Sequence, residues 1–435
     1  MTRKPSTIRT LAVVVATAGL TVAGAVTGTV ISTVISAGPA LADPPGGTVP
    51  AASAAVGVGA QTDQYLLDQL SYDYYQAHSG APTQLYSWDG VNPDTQQAGD
   101  EIQAKAGCSQ ISRPGGSSAG LAALEASTVD PAAPNHYCID FARYSLSPAS
   151  AGPQCTTGGI CFVSLAGDAV SWAVRNAASG GTDAPASLTA AQLVKIFECQ
   201  VTNWAQVGGQ NAPIEAFLPQ TSSDTRTAWL TALGGGSTPI TPGLCVSDLN
   251  NTLQENEGIN PVLDSPEAIF IYSVGDYIAQ AYHSPQCINA GCTPVDSTTA
   301  CGNTGSTACA PAATKPPCNP DPAQNKFGCN KIGALALAAI GGRYPIGTPR
   351  CAECQNGNFA AAFQIILSIA VRFDSHTADH IPGPEAGSPG GVNLEQFIGG
   401  PSGWLCSSPA AQADVQNYGF LSTGPQFSCG AVTGP

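Results

Sequence analysis

A strand, a tight turn and a capped helix follow one another repeatedly along this chain, and this alternation constrains the fold more than any other feature. The first instance is an apolar run at residues 54–59, a turn at 61–63 and a helix that places four apolar residues on one face, Leu66, Leu67, Leu70 and Tyr74. Related patterns occur at residues 115–124 before the apolar run 137–142, at 189–197, at 214–233 and at 408–419. Strands that alternate with helices over most of a chain predict packed α/β layers.

The N-terminal region has the three parts of a secretory signal. Basic residues come first, an uncharged apolar stretch follows at 11–36, and Ala-Leu-Ala at 40–42 predicts cleavage after Ala42. An uncleaved single-pass anchor is the alternative, because the apolar stretch is long for a signal peptide. Residues 43–55 then form a flexible leader, and the first cysteine is Cys108, so no thiol near the cleavage site could carry a lipid anchor. We expect an extracellular protein, secreted or associated with the cell wall.

Sixteen cysteines, an even number in an exported chain, predict a disulfide framework. They are Cys108, Cys138, Cys155, Cys161, Cys199, Cys245, Cys287, Cys292, Cys301, Cys309, Cys318, Cys329, Cys351, Cys354, Cys406 and Cys429. Spacing suggests the pairs Cys155–Cys161 and Cys199–Cys245. The C-x-x-C at Cys351 and Cys354 could also hold zinc or act as a redox dithiol, but an oxidising compartment favours a structural bridge.

The charge balance argues against polyanionic partners. Removal of residues 1–42 takes away three basic and no acidic residues, which changes the net charge from −15 to −18. Nucleic acid and anionic membrane surfaces are poor partners for such a chain. Only 10% of the residues are charged, which indicates a loop-rich globule of about two ordinary domains.

Three helix starts combine glycines and small hydroxyl residues. They lie at Gln61-Thr62, at Gly116-Ser117-Ser118 and at residues 222–226. Main-chain amides at a helix N-terminus lack partners inside the helix, and with the helix dipole they can bind an oxyanion. Each motif taken alone is an ordinary helix cap. If the three met in one cleft, they would hold a small anion without much formal positive charge.

Seven segments carry a resemblance that extends over nearly the whole mature chain. They are Gly57-Val58-Gly59-Ala60-Gln61-Thr62, Gly116-Ser117-Ser118-Ala119-Gly120, Asp140-Phe141-Ala142-Arg143, residues 162–170, residues 188–209 with Asn203-Trp204, residues 218–226 and residues 405–420. In order and spacing they resemble the phosphate-type substrate-binding proteins of ABC transporters, in particular the actinobacterial form. The resemblance implies a two-lobed periplasmic-binding-protein-like (type II) α/β fold, with ligand held between helix N-termini of both lobes.

The same resemblance implies a division of this chain. Lobe I is expected at 56–168 and again at 272–435, lobe II at 169–271, the two crossover hinge strands at 169–174 and 269–274, and a disulfide-rich irregular insertion at 284–330. The first-lobe ligand contacts carry over to Gln61, Thr62 and Ser117. The second-lobe contacts carry over to Ser223, Asp224 and Thr225.

Two departures from the family pattern bear on phosphate. Ser145 stands where these phosphate binders have an aspartate that accepts the proton of hydrogen phosphate, and Asp224 stands where they have a glycine. A carboxylate about 4 Å from a bound anion costs roughly 4 kcal/mol at an effective dielectric of 20, which is about a thousandfold in affinity. Asp224 could instead cap its own helix. Arg143 and Arg226 are the nearest cations that could compensate.

Other interpretations give the chain a different function. Residues 116–120 fit the G-x-S-x-G nucleophile elbow, with Ser118 as the nucleophile of a secreted serine hydrolase, but the preceding residues 110–114 make a poor strand. His376 and His380 have helical metal-site spacing in a segment that reads as an exposed loop. A surface or adhesive protein on the binding fold, without transport, is a third interpretation.

The sequence therefore predicts a monomeric, non-enzymatic solute-binding protein with no cofactor or metal. It would close by hinge motion on a small polar ligand, with phosphate or another oxyanion as the leading candidate, and would serve an ABC permease. The candidate ligand-binding residues are Gln61, Thr62, Ser117, Ser118, Arg143, Ser145, Ser223, Asp224, Thr225 and Arg226.

Overall fold

The structure is a computed structural model that describes residue 43 and residues 49–78, 85–92, 98–146, 159–283, 331–348, 351–372, 394–424 and 427–433. The predicted signal peptide, the insertion at 284–330, and His376 and His380 lie outside the described residues. Within the described part, no helix combines the length and the apolar character needed to cross a membrane. The described residues, from 43 to 433, all belong to one compact unit.

Twenty strands and eight α-helices are described. The strands are β1 (Ala55–Gly59), β2 (Leu85–Ser87), β3 (Glu101–Gln103), β4 (Gln110–Ser112), β5 (Val129–Asp130), β6 (Ala133–Tyr137), β7 (Phe141–Tyr144), β8 (Ile160–Arg175), β9 (Ser187–Leu188), β10 (Glu215–Phe217), β11 (Val246–Ser247), β12 (Ala268–Ser273), β13 (Leu335–Leu337), β14 (Ala339–Ile340), β15 (Ile346–Thr348), β16 (Cys351–Gln355), β17 (Gln364–Arg372), β18 (Thr423–Gly424), β19 (Phe427–Ser428) and β20 (Val432–Thr433). The helices are α1 (Gln64–Ala77), α2 (Ser117–Ala126), α3 (Ala190–Phe197), α4 (Asp224–Leu233), α5 (Val274–Ile278), α6 (Leu394–Ile398), α7 (Trp404–Ser407) and α8 (Pro409–Asn417).

Helix boundaries follow the sequence signals closely. The Thr189 side chain accepts a hydrogen bond from Gln192 N, and the Gln192 side chain accepts one from Thr189 N, so the predicted capping box is present at the start of α3. In α1 the predicted apolar face is buried. Ser408 caps α8 by accepting from Ala411 N. Strand β7 begins later than the predicted run at 137–142, because residues up to Tyr137 belong to a separate hairpin of β5 and β6.

One long strand, β8, organises a mixed ten-stranded sheet. The sheet has the order β11-β10-β12-β8-β17-β7-β1-β2, and β13 and β20 also pair with β8. The first part of β8 pairs with β17, and its last part pairs with β12 and β13. The two predicted crossover segments therefore lie side by side in antiparallel register, with Val170 opposite Ser273 and Ala173 opposite Phe270. Parallel pairs such as β1 with β2 and β10 with β12 make this a mixed α/β fold.

Apolar side chains pack into separate clusters along the first and the last part of β8. One cluster surrounds Trp172, Trp204 and Trp229, and two others pack around β1, β7 and α1. The cluster of the three tryptophans also takes in Ile332, Leu335, Leu337, Ala338, Ile340, Ile346, Phe359 and Phe363. This part of the range 272–435 thus packs with the residues expected for lobe II, although the sequence division assigned it to lobe I.

Three disulfide bonds are described in full. They join Cys108 to Cys138, Cys199 to Cys245 and Cys406 to Cys429. The pairing expected from spacing for Cys199 and Cys245 is therefore confirmed. Cys161 and Cys354 are also disulfide-bonded. Cys155, Cys287, Cys292, Cys301, Cys309, Cys318 and Cys329 lie outside the described residues, and the Cys351 side chain is likewise not described.

Candidate functional site

The start of α2 is held against the C-terminal end of β1 by glycines. Gly116 has a φ of 126°, a left-handed conformation that side chains disfavour, and its amide donates to Gly59 O at 3.1 Å. A Cβ on Gly120 would lie 2.4 Å from Gly59 Cα, so only glycine lets the helix approach the strand this closely. Ser117, the first helical residue, is fully buried.

The start of α4 meets the start of α2. A Cβ on Gly116 would lie 3.1 Å from Ser222 O, which shows how near the loop before α4 runs. Ser223 caps α4 by accepting from Arg226 N at 3.0 Å. Asp224, the first residue of α4, therefore does not serve as the N-cap of its own helix, the arrangement that the sequence had left open.

The Asp224 carboxylate instead crosses to α2. Its Oδ2 atom accepts hydrogen bonds from Ser117 N at 2.8 Å, from Ser117 Oγ at 2.7 Å and from Ser145 Oγ at 3.0 Å. Ser145 N in turn donates to Ser117 Oγ at 2.8 Å. Burial raises the pKa of Asp224, and the hydrogen bonds from the two serines oppose that rise. One main-chain amide and two serine hydroxyls thus bind the Oδ2 atom of Asp224, a side chain of the protein and not a separate ligand.

A second carboxylate occupies the start of α4. Glu255 Oε2 accepts from Ser223 Oγ at 2.5 Å and from Thr225 N at 3.0 Å. Its other oxygen, Oε1, is buried and has no hydrogen-bond partner among the residues that the structure describes. Burial and the neighbouring Asp224 raise the pKa of Glu255 to about 7. No sequence motif pointed to Glu255, because it lies in a loop outside all of them.

The turn before α1 contributes buried polar groups to the same region. Thr62 is 2% exposed, and no described residue forms a hydrogen bond with its hydroxyl. Burial raises the pKa of Asp63 to about 7, against the opposing charge of Arg143, whose Nε lies 3.8 Å from the Asp63 carboxylate. The charge of Asp224 adds to the pKa rise of Asp63. The turn before α1 also lies beside the residues that lead into α2, since a Cβ on Gly115 would lie 3.4 Å from Gln61 Nε2.

The two arginines considered as compensating cations are engaged elsewhere. Arg143 is fully buried and donates from Nε to Ala60 O at 2.7 Å and from Nη2 to Trp88 O at 2.8 Å, so it braces the ends of β1 and β2. Arg226 donates from Nη1 to Pro219 O at 2.7 Å and to Asp248 Oδ2 at 3.1 Å. Neither guanidinium takes part in the hydrogen bonds around Asp224.

A cavity of about 20 Å³, enough for one water molecule, lies between the start of α1 and the loop that carries Glu255. It is lined by Gln61, Gln64, Tyr65, Val91, Glu255, Asn256, Glu257, Asp276, Gln280 and Lys331. Lys331 forms an ion pair with Glu257. Burial raises the pKa of Asp276 well above its usual range. The lining is therefore predominantly acidic or amide in character.

Ser118 stands apart from this arrangement. It lies on the exposed side of α2, next to the buried Ser117. The strand before it, β4, belongs to a two-stranded sheet with β3 and not to the ten-stranded sheet. A nucleophile elbow needs a central strand leading into the serine, so the local structure of residues 116–120 does not fit one.

A mixed α/β molecule in which helix starts from distant parts of the chain face one another, as Ser117 and Asp224 do, has the architecture of a periplasmic-type binding protein. A family model described as the PBP superfamily domain matches residues 48–297, more than half of the chain. The chain belongs to this superfamily.

The chain is also similar to several solved structures. An ABC-type phosphate transport receptor from Vibrio cholerae has 15% sequence identity and a TM-score of 0.45, over 84% of this chain and 99% of that chain. The protein PstS from Borrelia burgdorferi has 14% identity and a TM-score of 0.39, over 85% and 98% respectively. No curated protein sequence matches the chain.

Proposed function

We propose that this protein is an extracellular solute-binding protein that holds a small polar solute between its two lobes and delivers it to an ABC importer. The observation that carries the proposal is the contact between Ser117 and Asp224, which are 107 residues apart in sequence. It brings the starts of α2 and α4 together at one buried point. Clefts lined by a few convergent polar groups are the usual binding sites of two-lobed α/β proteins.

Hydrogen-bonding capacity in this cleft supports a polar solute. Thr62 Oγ1 and Glu255 Oε1 are buried without a hydrogen-bond partner in the described part of the chain. Buried polar atoms are costly unless they are paired. A solute that enters the cleft can supply the missing partners, and it gains affinity from the same groups that are unfavourable without it.

Closure around a solute needs no covalent chemistry and no cofactor. Hinge motion of one lobe against the other exposes and buries the cleft, and the importer recognises the closed form. A surface or adhesive protein on the same fold would not need saturable affinity for a small solute. Binding measurements therefore separate the two functions.

The test is calorimetric titration of the mature protein with inorganic oxyanions, sugars, amino acids and polyamines. We expect one of these classes to bind saturably. Ser117→Ala should weaken that binding at least tenfold, because it removes the hydroxyl contact with Asp224 that holds the starts of α2 and α4 together. Ser118→Ala is the matched control, because the same substitution one residue further along α2 falls on the exposed side of the helix. Absence of saturable binding across the panel, or equal effects of the two substitutions, would contradict the proposal.

A further inference from the structure

The geometry points to a role for Asp224 in selecting the solute: its carboxylate occupies the hydrogen-bond donors at the start of α2 that an oxyanion would otherwise use. While the Asp224 side chain is in place, this cleft therefore rejects phosphate and sulfate. The inference rests on the proposed function, because it concerns which class of solute the same cleft accepts. It assigns to Asp224 a specificity-determining role.

Asp224 occupies the hydrogen-bond donors at the start of α2 that an oxyanion would need. Ser117 N, Ser117 Oγ and Ser145 Oγ all lie within 3.0 Å of Asp224 Oδ2. A main-chain amide at a helix N-terminus together with nearby hydroxyls is the usual set of donors for a phosphate or sulfate oxygen. A carboxylate oxygen and an oxyanion oxygen cannot occupy the same position.

The start of α4, which faces α2, is likewise occupied by a carboxylate of the chain. Glu255 takes the amide of Thr225 and the hydroxyl of Ser223. An oxyanion between α2 and α4 would therefore face two carboxylates from within the cleft. Arg226 gives no compensation there, because its guanidinium is paired with Asp248.

An unused polar group lies in the same region. Thr62 Oγ1 is buried and has no hydrogen-bond partner within the described residues. The turn that carries Thr62 lies beside the residues that lead into α2, since a Cβ on Gly115 would lie 3.4 Å from Gln61 Nε2. Removal of the Asp224 side chain should therefore free the α2 donors for an oxyanion in the region of this hydroxyl, with the charge of Glu255 remaining.

The experiment compares phosphate and sulfate titrations of the wild-type protein, Asp224→Ala and Asp264→Ala. Asp264 is the matched control, since its side chain is 55% exposed in a surface ion pair with Arg175 and its loss removes the same charge far from the α2 start. We expect little or no phosphate binding by the wild-type protein and by D264A, and affinity about a thousandfold higher in D224A, the factor that one carboxylate near an anion contributes.

Each outcome decides the inference. Equal phosphate affinity in the wild-type protein and D224A would overturn it but would leave the solute-binding proposal standing, because the cleft would then bind an oxyanion. If neither binds phosphate or sulfate, the inference is also wrong, and the wider solute panel with Ser117→Ala decides the proposed function separately. If D224A does not fold by its thermal melting curve, Asp224→Ser removes the charge and places no oxygen at the Oδ2 position, and the same comparison applies to it.

Discussion

Asp168 and Ser273 tie the two crossing strands together: Ser273 Oγ donates to the Asp168 carboxylate at 2.6 Å, from the end of β12 to the middle of β8. The same carboxylate accepts from Gly275 N at 2.8 Å, in the first turn of α5. Both side chains are fully buried. One aspartate therefore fixes the strand crossing and the helix that follows it.

We expect Asp168→Ala to lower the free energy of unfolding by roughly 2 to 3 kcal/mol, because it leaves a buried hydroxyl and a buried amide without their acceptor. Chemical denaturation of the mature protein measures the change. Asp264→Ala, which removes an exposed ion pair, should cost less than about 1 kcal/mol. Equal losses for the two variants would contradict the assignment of Asp168 as a structural tie.

Buried carboxyl groups should make the protein more stable at mildly acidic than at alkaline pH. Burial raises the pKa of Asp63 to about 7, of Glu255 to about 7 and of Asp168 to about 6, from ordinary values of 3.8, 4.5 and 3.8. Between pH values of about 4 and about 7, the folded state therefore binds more protons than the unfolded state. The stability that these groups contribute is lost as the pH rises through this range.

Melting temperatures across a pH series test this expectation. The melting temperature should fall as pH rises through that window, and Asp63→Asn should make the fall shallower because it removes one of the titrating groups. A melting temperature that climbs steadily from pH 4 to 8 would contradict it. The disulfide bonds are unaffected in this range, so they do not contribute to the slope.

Close packing of α2 on β1 should make Gly120 intolerant of a side chain. Gly120→Ala places a Cβ 2.4 Å from Gly59 Cα, a contact that forces the helix away from the strand. We expect a loss of about 1 to 3 kcal/mol in unfolding free energy, together with weaker solute binding, because Ser117 moves with the helix. The exposed Ser118→Ala should leave both quantities nearly unchanged, and a stable, fully binding G120A protein would show that α2 tolerates the shift.

The bond between Cys199 and Cys245 should stabilise the part of the molecule around α3. It closes a segment of 46 residues, and loss of a native disulfide costs about 2 to 4 kcal/mol. The double variant Cys199→Ala/Cys245→Ala should unfold at a lower denaturant concentration than the oxidised protein. An unchanged midpoint would mean that the surrounding packing holds this segment without the bridge.

Local signals in the sequence were sufficient to predict the helices and strands, but not the contacts between them. The capping box of Thr189 and Gln192 and the apolar face of α1 depend on residues three or four positions apart, so a pattern along the chain contains the whole interaction. The destination of the Asp224 carboxylate depends instead on Ser117, more than a hundred residues away. The sequence shows a carboxylate at the start of α4 where the family pattern has a glycine, but it does not show that this carboxylate would bind the start of α2.

Residues outside regular elements were hardest to foresee. Glu255 and Asn256 lie in a loop with no motif, yet they line the cleft and Glu255 fills the start of α4. Ser273 and Asp276 did carry a signal, because the S-x-x-D pattern before an apolar run is a capping motif. The Ser273 side chain does cap α5 by accepting from Asp276 N, while the Ser273 amide donates to Asn256 instead of to Asp276. For Arg226 the sequence suggested a role that the hydrogen bonds do not show. Its proximity in sequence to Asp224 suggested a role in the cleft, but its side chain donates to Asp248.

The continuity of β8 has a consequence for movement. Residues 160–169 pair with β17, with one register shift at Leu165, and residues 170–175 continue the same strand and pair with β12 and β13. A loose linker would let the two halves drift apart after a solute leaves. In the closing motion that we propose, a continuous strand paired with β12 would keep their spacing constant and let them turn chiefly by changing its own twist, so the torsional stiffness of a short length of backbone would govern that motion.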